Sequence, residues 1–151
     1  MSVSSRTDHI QIARVIGIPI YLHFSWLIIF GLIVWTLSTG YFPAQYPDLP
    51  ASSYWAKGLV ASLLFFASIV FHELGHAVVA LRHGLRTRSI TLFVFGGVAQ
   101  LEGDPKDARA EFWMAAAGPL VSLTLAGLFY ACATLPLLGP SAAAVARYLA
   151  L

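Results

Sequence analysis

The chain has 151 residues, of which 58% are apolar and only 11% charged, with nine Lys and Arg against seven Asp and Glu. Soluble domains carry about 25% charged residues, so this composition excludes a disordered chain, argues against an ordinary soluble globule and points to a single membrane-embedded domain over 1–151. A net charge of +2, spread along the chain, gives no footprint for nucleic acid, and a lone Cys132 excludes an internal disulfide or a cysteine-rich metal site.

Three stretches are long and apolar enough to cross a bilayer, which takes about 20 residues. The first runs from about Ile16 to Leu37 and holds His23. Its length and the lack of a following small-residue cleavage site set it apart from a signal peptide. The loop 38–54 contains no Lys or Arg. Trp35, Tyr41, Tyr46 and Trp55 flank or lie in it and suit interfacial anchors. The second stretch spans about Trp55 to Leu81 and carries His72, Glu73 and His76. The segment 82–111 follows with Arg82, Arg86, Arg88, Lys106 and Arg109. Together with Arg6 and Arg14, these charges place the N-terminus and this segment on the cytoplasmic side. Lys57 and Arg147 fall near the other side and strain that topology.

Within 82–111, the β-branched and aromatic run Ile90–Phe95 and the run Val98–Leu101 flank Gly96-Gly97. This pattern reads as a short hairpin turning at the glycines. Asp104 then suits a helix N-cap and Pro105 a first helical position. The third apolar stretch runs from about Phe112 to Leu138, with a helix start near Pro105. In it Gly118, Ser122 and Ala126 form a ladder of small residues, and Pro119 should bend the helix. The tail from Ser141 to Leu151 opens a fourth helix. The expected fold is therefore an all-α membrane protein of three transmembrane helices and a fourth begun, with a β-hairpin between helices 2 and 3.

His72-Glu73-Leu74-Gly75-His76 is an HExxH sequence. On a helix, residues four apart lie on one face, so both imidazoles can bind one metal ion. Glu73 is rotated by about 100° and can reach a water in an open metal position. Each ionisable group costs roughly 2.5 kcal/mol or more at mid-bilayer. Three of them in five residues of an apolar helix call for compensation, which a cation supplies; a hydrogen-bonded structural cluster is the plainer alternative. His76 precedes Arg82 by six residues, about 9 Å of helix, so the motif sits inside the bilayer near its cytoplasmic face. His83 lies two turns beyond His76 and reads as a helix-end cation, with Gly84 suited to the position after the cap.

The motif, the strand pair with Phe95-Gly96-Gly97-Val98-Ala99, and Gly118-Pro119 together resemble the site-2 proteases, intramembrane zinc metalloproteases that cut membrane-anchored regulators. The resemblance implies zinc on His72 and His76, Glu73 as general base, and a transmembrane protein substrate unwound along the hairpin at Phe95, Gly96 and Gly97. It also implies a prokaryotic plasma membrane. The family draws its third zinc ligand from an Asp in a motif of the form N-x-x-P-x-x-x-x-D-G. This chain has no Asn, and its last acidic residue is Glu111. The expectation is that the chain stops in a fourth helix before that Asp. His23, placed by helical spacing in the cytoplasmic half of the first span, and the acids Glu102, Asp104, Asp107 and Glu111 are the conceivable substitutes, as is self-association of the chain. Two other readings stay open: a non-catalytic membrane relative that binds or regulates, and a metal transporter, which the nearly bare first and third spans disfavour.

Overall fold

The computed structural model describes residues 9–105, 107–134 and 138–151. In chain order these form strands β1 (His9–Val15) and β2 (Ile18–His23), helix α1 (Trp26–Thr36), a π-helical turn (Leu37–Tyr41), α2 (Phe42–Gln45), α3 (Ala51–Arg82), β3 (Arg86–Phe93), β4 (Gly96–Glu102), α4 (Ala108–Thr134) and α5 (Pro140–Leu149). Three helical runs are long and apolar enough to cross a membrane: Trp26–Gln45, Ala51–Arg82 and Ala108–Thr134.

The chain forms two compact units. One comprises the residues up to Ile28 with Ile69–Val121, the other Ile29–Ser68 with Ser122–Leu151. The first unit contains a four-stranded sheet in the order β1-β2-β3-β4. The outer pairs are antiparallel, while β2 and β3 run parallel through Ile20↔Ile90, Tyr21↔Thr91 and Leu22↔Leu92. Buried Ile20 and Ile90 pack on Leu74 of α3, with Val70 and Ala99 beside them.

The sheet corrects the all-α expectation, because the first apolar stretch is two kinds of element. Ile16-Gly17 forms a tight turn with φ of 51° and 79°, the backbone that favours a two-residue hairpin. The stretch then pairs as β2 as far as His23 and becomes helical only at Trp26. His23 thus belongs to a strand, not to the cytoplasmic half of a helix. Its Nδ1 lies 2.7 Å from Ser25 Oγ, and that hydroxyl accepts the Val94 N–H at 3.3 Å, tying the start of α1 to the β3–β4 turn. The alternation in His9-Ile10-Gln11-Ile12 and the Gly17 and Pro19 breaks are the sequence signals for strands here.

Two further boundaries differ from expectation. The β3–β4 turn is Val94–Phe95, since Phe93 pairs with Gly96 and Leu92 with Gly97; the glycines open β4 instead of forming the turn. The α4 cap is Asp107, whose Oδ1 accepts the Ala110 N–H at 2.8 Å, so the helix starts at Ala108 and not near Pro105. A side chain three residues before the N–H it accepts is the N-cap geometry. At its other end α4 extends to Thr134, and the expected continuation through 135–137 lies outside the described residues.

Helix α3 has 32 residues, about 48 Å, well over the roughly 30 Å hydrocarbon core. It ends as its sequence dictates. Gly84 has φ +81°, the Leu85 N–H donates to Ala80 O at 3.0 Å, and the Gly84 N–H to Leu81 O at 3.1 Å. This is the paired-bond stop in which a left-handed glycine closes the helix, and Leu85 packs back on Ala80 and Met114. In the second unit Leu37, Phe42, Tyr54, Ala61, Ala144 and Val145 form the buried cluster.

Candidate metal centre

Helical spacing brings the His72 and His76 rings together with centroids 4.9 Å apart and planes at 74°. Their Nε2 atoms stand 3.2 Å from each other. Two nitrogens on one tetrahedral zinc, each at about 2.0–2.1 Å, would be separated by about 3.3 Å. The orientation of His76 is fixed from outside the motif. Its Nδ1 is 2.6 Å from the Met114 carbonyl oxygen of α4. A carbonyl only accepts, so Nδ1 carries the proton and Nε2 keeps its lone pair toward His72.

Gly118 completes the setting. A Cβ at that position would lie 2.5 Å from His72 Nε2 and 2.6 Å from His76 Cε1. The two imidazole edges thus face a concavity in α4 that only glycine leaves open. Gly75, on α3, lets the helices approach: its own Cβ would meet Val121 Cγ2 at 2.8 Å and Ala117 O at 3.1 Å. On the other side β4 closes in. A Cβ on Gly97 would fall 2.8 Å from Glu73 Cγ and 3.3 Å from its Oε1. Glu73 and His76 open into a cavity of about 400 Å³ whose wall includes Gly97, Ala99, Glu111 and Met114. The donor set, two convergent ring nitrogens with one tautomer locked and a space beside them, fits a soft-to-borderline divalent cation such as zinc.

The other sequence-derived candidates divide. Gly97 lines the cavity, whereas Phe95 projects from the β3–β4 turn with 89% of its surface exposed, and Gly96 follows it in that turn's closing pair. Glu102 pairs with Arg88 at 3.7 Å, Asp107 caps α4, and His83 Nδ1 lies 2.9 Å from Val79 O at the end of α3. Glu111 alone among the four acids reaches the cavity wall. Among the described residues no group of three His, Cys, Asp or Glu is placed to hold one ion. In the sequence Gly118 reads as a packing residue, and the Met114 carbonyl leaves no signal there, because backbone acceptors carry no side-chain signature. The Gly-Pro pair was the visible trace of the concavity.

The model of peptidase family M50 matches residues 60–146. A Synechocystis protein named "Putative zinc metalloprotease sll0528" is 47% identical over 118 residues, 78% of this chain and 31% of that protein. The Mycobacterium tuberculosis protein named "Putative zinc metalloprotease Rip3" is 41% identical over 126 residues, covering 83% of this chain and 32% of the relative. The chain therefore spans about a third of the length of these relatives. Among solved structures, the site-2 protease from Methanocaldococcus jannaschii superimposes with a TM-score of 0.65 at 26% identity, over 94% of this chain and 61% of that one.

Proposed function

The chain belongs to peptidase family M50, the site-2 proteases, and from that premise we propose that it works as a zinc-dependent endopeptidase on membrane-anchored proteins within the bilayer. The observation that carries this reading is the convergence of His72 and His76 Nε2 at 3.2 Å inside a candidate membrane span, with Glu73 on the adjoining cavity. His72 and His76 would hold the ion. When bound, zinc supplies a Lewis acid and brings a water's pKa down to about 7.

This chain's residues do the rest. Glu73 takes a proton from the attacking water and passes it to the leaving amide nitrogen, the general-base and general-acid role that its place beside the cavity suits. The close approach of β4 at Gly97 confines that carboxylate. Met114 keeps His76 in the tautomer that presents Nε2. The β4 strand, through Gly97, forms the wall along which an extended substrate would lie, with main-chain hydrogen bonds as its anchor; the substrate would run on past Gly96 to the exposed Phe95 at the turn. A catalytic zinc takes three protein ligands; the resemblance assigns the third to the Asp of an N-x-x-P-x-x-x-x-D-G motif, which these 151 residues do not contain. The charge distribution supports a cytoplasmic N-terminus, and the resemblance points to a prokaryotic plasma membrane.

Zinc content and cleavage of a membrane-anchored reporter, measured on Glu73→Gln and His72→Ala, test the roles. Glu73→Gln should keep the metal and lose cleavage, while His72→Ala should lose both. Equal zinc in the two variants would refute the ligand assignment. A regulatory, non-cleaving relative is the second reading, favoured by the lack of a third ligand among the described residues. It predicts substrate binding without cleavage in the unaltered protein.

A further inference from the structure

Among the described residues Lys57 is the one buried charge in the second unit, at 4% exposure, in the second turn of α3. Its Nζ donates to Ser53 Oγ one turn earlier, and no carboxylate among the described residues lies within ion-pair distance of it. An ammonium has three N–H groups, and a neutral hydroxyl answers one of them. A buried charge is kept only when it is paired and hydrogen-bonded, so the remaining donors call for an anionic acceptor.

The lysine opens on a cavity of about 350 Å³ whose wall includes Tyr46, Asp48, Leu49, Pro140 and Ser141. The cavity is preformed. Tyr54 Oη donates to Tyr46 O at 2.6 Å and accepts the Leu49 N–H at 3.2 Å, which pins the 46–49 loop over the buried cluster. The first turn of α5 faces the same space, with Pro140 leading and no side-chain cap on its N–H groups, so its dipole adds positive potential beside Lys57. Asp48, on the exposed loop, is the negative pole. The cavity is thus bipolar. Lys57 lies six residues, about 9 Å, from the start of a candidate span, a position that suits the level of the lipid headgroups. Trp55, two residues before Lys57, meets Trp35 edge-on at 5.9 Å, and the two rings, 44% and 60% exposed, suit an interfacial belt.

We propose that this cavity binds the headgroup of a zwitterionic aminophospholipid, its phosphate on Lys57 and the first turn of α5, its primary ammonium on Asp48. The test is a titration of the delipidated, detergent-solubilised protein, read by native mass spectrometry. The probes are short-chain phosphatidylethanolamine, phosphatidylcholine, phosphatidylglycerol, soluble O-phosphoethanolamine and inorganic phosphate. Phosphatidylethanolamine should bind tightest. Lys57→Met should weaken it at least tenfold, and Asp48→Asn should bring it to the level of phosphatidylglycerol while leaving the latter unchanged. Unaltered binding in Lys57→Met, or an unaltered ratio of the two lipids in Asp48→Asn, would overturn the assignment. Equally tight binding of inorganic phosphate or O-phosphoethanolamine would make it a free-anion site and overturn the lipid. Where Lys57→Met does not assemble, Asp48→Asn, at an exposed position, decides by itself.

Discussion

Replacing Gly118 by Ala adds one methyl group where the candidate metal centre has no room for it. The new Cβ would stand 2.5 Å from His72 Nε2 and 2.6 Å from His76 Cε1, whereas carbon contacts settle at about 3.5–4.0 Å. A shortfall of about 1 Å has two outlets, retreat of α4 or rotation of the rings. The first stretches the 2.6 Å bond from His76 Nδ1 to the Met114 carbonyl, and the second parts the Nε2 atoms from their 3.2 Å separation. Functional constellations tolerate about 0.5 Å, and loss of an orienting partner costs about 10–100-fold in metal affinity. Gly118→Ala should therefore weaken zinc binding by about that factor, measured by chelator competition with metal analysis of the purified protein. Helical content should persist, because alanine is a better helix former than glycine. Gly127→Ala is the matched control: it lies on the same helix with nothing within 4 Å of the added carbon, and it should leave zinc untouched. Wild-type zinc affinity in Gly118→Ala would show that the imidazoles do not meet a metal in this concavity.

Other perturbations follow from the same geometry. Gly97→Ala, with its Cβ 2.8 Å from Glu73 Cγ and 3.2 Å from Ile69 Cγ2, should push β4 off α3 and cut reporter cleavage by about tenfold or more, in line with a misplacement near 1 Å, while zinc content holds; undiminished cleavage would argue against β4 as a wall of the site. Gly84→Ala forces a Cβ into the left-handed region at φ +81° and should cost about 1–2 kcal/mol, seen as a lower midpoint of denaturant unfolding. Asp107→Ala removes the acceptor for the Ala110 N–H and should cost about 1 kcal/mol in the same assay, with Asp107→Asn recovering most of it.

Much of this protein was legible from local sequence. The apolar runs marked the spans because a helix satisfies its own backbone hydrogen bonds and so can enter lipid without a partner. The same locality made the HExxH face readable, since a four-residue interval on a helix fixes both rings on one side. It made the Gly84 stop readable too. What stayed hidden depends on pairings between distant segments. Nothing near Ile20 announces that it will lie beside Ile90, and a parallel pair must wait for a long crossover to bring its strands together. Without that pairing, Ile16–His23 reads as the start of a helix, and His23 is misplaced with it. The β3–β4 turn moved from the glycines to Val94–Phe95 for a related reason: Gly97 is spent on the close approach to Glu73. The sequence by itself determined which residues share the chemical face. Tertiary structure alone decided what meets that face, the Gly118 concavity and the Met114 carbonyl, because close approach and backbone acceptors are properties of packed segments and leave almost no mark in the order of the residues.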